Sequence, residues 1–195
     1  MSHLPSLAQQ AHQRLKSILN LGDHVIDATC GNGHDSLFLA EQVAPLGRVY
    51  SFDLQKIAIE ATEKRLQQAD LATHVSLIHA GHETMDTHIP CSNHGRIKAI
   101  MFNLGYLPRS DKQIITLTAT TLMALEKSIL LLAPLGMITI LAYPGHSGGN
   151  EETFQVTNWC QQLPKKFSVE IIESIQPKAT APQLFVIQKK LLTIT

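Results

Sequence analysis

The sequence predicts an α/β fold in which a single domain, residues 1–195, holds a seven-stranded, mostly parallel sheet with helices on both faces. Two observations predict it. Short β-branched runs alternate with stretches of helical apolar spacing along most of the chain, as in right-handed strand–helix–strand units. The last two strand-like runs have no helix between them, so one antiparallel strand is expected there.

The elements follow one another in a regular order. Helices are predicted over residues 7–19, 35–43, 55–69, 116–132 and 151–163, where apolar residues recur at helical spacing. Strands are predicted in HVIDATC, RVYSFD, VSLIHA, IKAIMFNLGYLP, GMITILAYPG, SVEIIESI and QLFVIQKK. The polar, histidine-rich segment between the third and fourth strands, up to about Arg96, is predicted to be a loop.

Composition limits the classes of function. The formal net charge is zero, which excludes a strongly basic body for gripping nucleic acid but allows local basic patches. The three cysteines, Cys30, Cys91 and Cys160, are unclustered, which argues for a reducing compartment. No apolar run has the length of a membrane span, and no signal peptide is visible. The expected location is therefore the cytoplasm.

The stretch DATCGNGHDS, residues 27–36, follows the first strand. In a sheet of this kind, ligands bind beyond the carboxyl ends of the strands, where the strand order reverses. Gly31 and Gly33 let the backbone approach a ligand closely and adopt positive φ. Phosphate, an adenosyl group and a metal are the candidate ligands of such a loop.

The residue types favour the adenosyl group. A dinucleotide fingerprint would need a glycine where Ser36 stands, and a P-loop would need a nearby lysine. Asp27 at the strand end repels phosphate but suits a cationic group, and S-adenosylmethionine carries an ammonium and a sulfonium. Asp53 ends the second strand and can accept hydrogen bonds from both ribose hydroxyls. Both aspartates also suit simple strand-end caps.

The third strand ends in HAGHE, where His82 and Glu83 can border an adenine ring. A metal is the competing interpretation of this region, since His79, Cys91 and His94 lie nearby in the sequence. Zinc sites usually show tighter paired spacing, so no metal is predicted.

A second group of residues follows the fourth and fifth strands. Asn103, in NLGYLP, has a side-chain oxygen that can accept a hydrogen bond from an amine, and the ring of Tyr106 can stack on a base. His146 follows the fifth strand and has an intrinsic pKa of about 6.5, which suits a general base. These three are the predicted catalytic residues, although the first two also suit a turn and the third an exposed loop. Arg109 and Lys112 are predicted phosphate contacts.

These features resemble the class I S-adenosylmethionine-dependent methyltransferases, which have a Rossmann-like fold. Their first motif is an acid followed by three alternating glycines; Asp27 matches the acid, Thr29 replaces the first glycine, and Gly31 and Gly33 match the others. More narrowly, DATCGNGHD, FNLGYLP and YPGH resemble a small bacterial family described as ribosomal RNA methylases. The resemblance implies cofactor contacts at Asn32, Asp53, Gln55, His82 and Glu83.

Members of that family are similar to the transfer RNA enzyme that methylates 5-aminomethyl-2-thiouridine at the wobble position. The resemblance therefore implies S-adenosylmethionine as the cofactor and the anticodon loop of tRNA as the partner, and a homodimer is compatible with the sequence. Three alternatives stay open. They are a ribosomal RNA methyltransferase, a small-molecule N-methyltransferase, which the zero net charge favours, and a nucleotide-binding module without enzymatic activity.

Overall fold

The computed structural model describes residues 5–105, 116–145, 147–174 and 180–191. Its helices are α1 (Leu7–Lys16), α2 (His34–Val43), α3 (Lys56–Gln68), α4 (Met85–His88), α5 (Thr118–Leu131) and α6 (Gly149–Gln162). Its strands are β1 (His24–Asp27), β2 (Arg48–Asp53), β3 (Val75–His79), β4 (Ile97–Leu104), β5 (Leu132–Ala142), β6 (Phe167–Glu173) and β7 (Gln183–Lys189). No helix within these ranges is long and apolar enough to cross a membrane.

All seven strands form one sheet in the order β3-β2-β1-β4-β5-β7-β6. The neighbours from β3 to β5 are parallel. β7 is antiparallel to both β5 and β6, so it is the single reversed strand. The predicted fold class is therefore confirmed. The strand order reverses at β1, because β2 lies on one side of it and β4 on the other.

Helices cover both faces of the sheet, because the strands carry apolar side chains on both faces. On one face, Phe52, Phe102 and Ile140 pack with residues from α4, α5 and α6. On the other face, Val25, Met101 and Leu141 pack with residues from α1, α2 and α3. Strands buried on two sides are expected to read as continuous apolar runs, which is why β4 and β5 stand out in the sequence.

Two boundaries that differ from the predicted ones have a visible cause. α1 ends at Lys16 rather than at residue 19, and the Ile18 and Leu19 amides instead bond the Leu15 carbonyl in a turn. β5 begins at Leu132, before Pro134 and Gly136, but its regular pairing with β4 begins only at Met137, after a register shift. A β-bulge of this kind accommodates an extra residue and a proline.

The sequence predicts a loop between β3 and β4, but the structure shows short helical elements there. The segment contains α4 and two short 3₁₀ turns, His82–Thr84 and Cys91–Asn93. Met85 and Ile89 anchor it, since both are buried in the core. These elements are only three or four residues long, too short for helical periodicity to be visible in the sequence.

The core of β4 supports the strand end that carries Asn103. Phe102 is 1% exposed, so Phe102→Ala should lower the free energy of unfolding by about 3–5 kcal/mol through lost burial and a residual cavity. Met123→Ala on α5 is the control, because that side chain is 52% exposed and its loss should change stability little. Urea denaturation measures both. Equal midpoints for the two variants would contradict the packing described.

Candidate active site

A cavity of about 670 Å³ opens beyond the carboxyl ends of β1, β2, β3 and β4. Its position follows from the strand order, because the connections leaving β1 and β4 diverge there and leave a crevice. The volume lies in the usual range for small-molecule sites, about 300–1,000 Å³.

The glycine loop, residues 28–33 between β1 and α2, contributes most of its residues to the lining of the cavity. Its two glycines have different roles. Gly31 (φ +52°) lines the cavity, where its backbone meets the open space. Gly33 (φ +76°) does not line it, because this residue faces α3; an added Cβ would lie 2.8 Å from the Thr62 Cα. Gly33 therefore lets the loop pack against α3, and its predicted role in cofactor binding stays a prediction.

Asp53 lies at the end of β2 and lines the cavity. Its two carboxylate oxygens are fixed by backbone donors: the Gly31 amide donates to Oδ2 and the Gln55 amide donates to Oδ1, both at 2.9 Å. A carboxylate held in this way still has a lone pair on each oxygen, so it can accept hydrogen bonds from two adjacent hydroxyls.

Asp27, a predicted cofactor contact, is not among the residues that line the cavity. It is 0% exposed and accepts hydrogen bonds from the Ser36 hydroxyl at 2.6 Å and the Thr29 amide at 3.2 Å. Burial, followed by the nearby charge of Asp35, raises the pKa of Asp27 to about 7. Because its side chain points into the layer between β1 and α2, it holds the loop in place instead of meeting a ligand.

The far end of the cavity, beyond β3, contains the residues predicted to border an adenine. Gln55, His82 and Glu83 all line it, as does Asn32 from the glycine loop. His82 is 7% exposed and packs edge-on against Phe102. Burial lowers the pKa of His82, so the ring is neutral at pH 7 and can both donate and accept a hydrogen bond.

Asn103 lies at the opposite end, beyond β4. The Thr29 hydroxyl accepts its backbone amide at 2.7 Å, and its side-chain amide donates to Asp35 Oδ2. Asp35 also lines the cavity, and its Oδ1 lies 2.6 Å from Nε2 of His12 on α1. Thr29, which replaces a glycine of the usual motif, thus links the loop after β1 to the end of β4.

A buried carboxylate supports the wall next to Asn103. Glu152 of α6 is 2% exposed and accepts the hydroxyls of Thr116 and Thr121, each at 2.7 Å. Thr116 also exchanges hydrogen bonds with Gly105: its hydroxyl accepts the Gly105 amide, and its own amide donates to the Gly105 carbonyl, both at 2.9 Å. Gly105, two residues after Asn103, is therefore tied through Thr116 and Glu152 to α5 and α6.

The structure brings most of the predicted site residues together. Those that line the cavity are Gly31, Asn32, Asp53, Gln55, His82, Glu83 and Asn103. Tyr106, Arg109, Lys112 and His146 lie outside the described residues. Sequence reasoning missed Asp35, His12 and Tyr143, although Asp35 and Tyr143 stand in the quoted motifs DATCGNGHDS and YPGH. Tyr143 lines the cavity near Asp35 and presents an aromatic ring there.

The histidines between β3 and β4 do not converge. His79 bonds the Leu54 carbonyl and His94 bonds the Ile89 carbonyl. Within the described ranges, no group of three His, Cys, Asp or Glu side chains could hold a metal ion.

The strand order, the single reversed strand and the crevice beyond β1 define the class of protein: this is the fold of the class I methyltransferases. Solved structures of lower identity share it, including an O-methyltransferase of Thermotoga maritima with a TM-score of 0.64 at 13% identity. The chain belongs to the family described as "Putative rRNA methylase", whose model matches residues 49–188.

Individual relatives agree with the family. A structure described as a "putative rRNA-methylase" from Clostridium thermocellum is 40% identical, with a TM-score of 0.90 over 96% of this chain and 99% of that one. SMU.1697c, a methyltransferase structure from Streptococcus mutans in complex with SAH, is 32% identical with a TM-score of 0.85 and the same coverage. An Arabidopsis thaliana protein, "tRNA (mnm(5)s(2)U34)-methyltransferase, chloroplastic", is 41% identical over 162 residues. That match covers 79% of this chain but only 58% of the plant protein.

The buried Asp27 makes stability depend on pH. An unfolded aspartate has a pKa of about 3.9, and burial raises the folded value, so the folded state binds the proton more tightly. Stability contributed by this group is present below the unfolded pKa and is lost as pH rises through about 7. Relative to the parent, Asp27→Asn should therefore gain stability between pH 4.5 and pH 8, on the order of the shift itself.

Urea unfolding of parent and variant at several pH values measures this difference. Ser51→Ala is a matched control, because Ser51 lies in the same buried hydrogen-bond group and does not titrate in this range. A parent–variant difference for Asp27→Asn that is constant with pH would contradict the raised pKa.

Proposed function

We propose that this chain is a methyltransferase that uses S-adenosylmethionine to methylate an amine on RNA. The observation that carries the cofactor assignment is the SAH-bound relative from Streptococcus mutans, whose whole fold this chain shares. SAH is the product that S-adenosylmethionine leaves after it has lost its methyl group.

The residues of the cavity fit this cofactor. Asp53 offers both carboxylate oxygens where a ribose diol would lie, and Gly31 leaves the backbone open beside it. Among the described residues that line the cavity, none is a lysine or an arginine, which suits a nucleoside without phosphate. The neutral His82 at the far end suits an uncharged purine.

When bound, S-adenosylmethionine supplies an electrophilic methyl group, and the task of the protein is to place the acceptor in line with it. Asn103 can accept a hydrogen bond from an amine through its side-chain oxygen. Tyr143 can stack on the base that carries the amine. Asp53 and the glycine loop would hold the nucleoside of the cofactor. One end of the cavity would therefore bind the cofactor, and the other end would position the acceptor.

The ribose assignment predicts the effect of Asp53→Ala. Loss of hydrogen bonds to a charged group costs about 1.5–3 kcal/mol, so SAH affinity measured by calorimetry should fall by about tenfold or more. Glu63→Ala is the control, because Glu63 is exposed on α3 and should bind as the parent does. Equal SAH affinity for the parent and both variants would contradict the assignment of Asp53 to the ribose. Tight NAD binding without SAH binding would contradict the assignment of the cavity to S-adenosylmethionine.

The acceptor we propose is the primary amine of 5-aminomethyl-(2-thio)uridine at the wobble position of tRNA. The observation that carries it is the 41% identity to the plant protein named for mnm(5)s(2)U34 of tRNA. A nucleotide in an anticodon loop is already accessible, so a small domain need not open a duplex. The zero net charge fits a protein that contacts only one loop. Arg109 and Lys112 are our candidates for local phosphate contacts, and Tyr106 and His146 for further catalytic residues.

A ribosomal RNA acceptor is the second candidate, because the family's own description names it. The decisive assay offers labelled cofactor to tRNA with the aminomethyl group, to tRNA without it and to ribosomal RNA. We expect methylation of the first substrate alone, at a rate that rises with pH as the ammonium loses its proton. Equal labelling of both tRNAs would contradict the aminomethyl acceptor, and labelling of ribosomal RNA alone would favour the second candidate.

Because the chain spans only part of the plant relative, its extent as a single domain is also a proposal. The cytoplasmic location, the anticodon-loop contact and a homodimer likewise stay predictions.

A further inference from the structure

A chain of three polar side chains runs from the N-terminal helix to the cavity. His12 on α1 lies 2.6 Å from Asp35 Oδ1, and Asp35 Oδ2 accepts the side-chain amide of Asn103. His12 is itself held in place, since its ring stacks on Phe38 at a centroid distance of 3.9 Å and an interplanar angle of 5°. The three residues come from α1, α2 and β4, which only the folded chain brings together.

The contact with Asp35 fixes which way the Asn103 amide points. An ionised carboxylate can only accept hydrogen bonds, so the amide nitrogen must face Asp35. The reversed orientation would place two oxygens against each other and leave the carboxylate oxygen without its donor. The Asn103 side-chain oxygen is therefore directed away from Asp35 and stays available as an acceptor.

Asp35 is itself constrained from the other side. Its side chain is 12% exposed and that of His12 is 27% exposed, so the pair is partly shielded from water. With one oxygen held by His12 and the other by Asn103, the carboxylate cannot rotate without losing a hydrogen bond. Without His12, Asp35 would keep one partner and be free to turn.

We propose that His12 and Asp35 are positioning residues, which set the Asn103 amide so that its oxygen meets the acceptor amine. The proposal rests on the proposed function, because it assumes that Asn103 contacts the acceptor. It also makes α1 a part of the active site, although this helix precedes the segment that the family model matches.

Two substitutions at each position test it. His12→Phe keeps a ring for Phe38 but removes the donor, whereas His12→Gln keeps an N–H group at a similar distance from the backbone. Asp35→Ala removes both acceptors, whereas Asp35→Asn keeps an oxygen for Asn103 and loses the charge. Gln13→Ala is the control for a change on α1, because Gln13 is exposed. Thermal unfolding of each variant identifies any that do not fold.

Positioning predicts a separation of turnover from binding. His12→Phe should lower kcat by about tenfold, and Asp35→Ala by about a hundredfold, as expected for a misplacement of about 1 Å. SAH affinity should stay within about twofold of the parent, since Asp35 bonds His12 and Asn103 at the end of the cavity away from Asp53. His12→Gln and Asp35→Asn should each recover a large part of the lost turnover, because they restore geometry rather than charge.

Three results would overturn the proposal. If His12→Phe turns over like Gln13→Ala, the pair serves only to dock α1. If Asp35→Ala loses SAH affinity in proportion to kcat/KM, Asp35 is a cofactor anchor. If Asp35→Asn is as impaired as Asp35→Ala, the charge and not the geometry matters.

An NMR measurement keeps the test independent of the RNA substrate. In SAH-bound protein with 15N-labelled asparagine, the Asn103 side-chain protons, assigned by their loss in Asn103→Ala, should exchange slowly with water. His12→Phe should make this exchange about tenfold faster, as expected for one weakened charged hydrogen bond. Unchanged exchange would overturn the proposal even if no RNA is methylated, whereas a parent inactive on every RNA with the predicted exchange would overturn the proposed function alone.

Discussion

The site depends on the reversal of strand order at β1. Because β2 and β4 flank this strand and their connections diverge, the backbone leaves a crevice beyond its carboxyl end. The predicted site residues that line the crevice are placed by strand ends: the glycine loop by β1, Asp53 by β2, His82 by the turns after β3 and Asn103 by β4. Side chains far apart in the sequence therefore share one cavity as a result of topology alone.

Asp27 and Asp53 show how much of this the sequence can predict. Both are aspartates at strand ends, and both were expected to face the ligand. Asp53 lines the cavity, where its carboxylate accepts the Gly31 amide. Asp27 does not, because it has the same strand parity as Val25, whose side chain packs beneath α2, and its carboxylate meets Ser36 instead. The sequence shows that each residue is an aspartate at a strand end. Whether its side chain faces the cavity or is buried beneath a helix depends on the packing of α2.

The remaining differences have the same origin. Apolar residues recur along the strands and helices at a spacing that is visible in the sequence. Six of the seven strands therefore lie close to their predicted positions. The bulged start of β5 and the short helix α4 have no such period. Tertiary contacts stabilise α4, namely the burial of Met85 and Ile89 and the ion pair between Asp86 and Lys127. His12 was missed for a related reason. Nothing in the sequence near α1 indicates that this helix reaches Asp35, because the contact crosses 23 residues.

The reciprocal hydrogen bonds between Gly105 and Thr116 carry an evolutionary consequence. They bring both ends of the intervening segment to one point, which Glu152 anchors to α6. An insertion or deletion between these two residues therefore need not disturb β4 or α5. Homologous chains can therefore differ in length between Gly105 and Thr116, close to Asn103, without a change in the strand ends that carry Asp53 and the glycine loop.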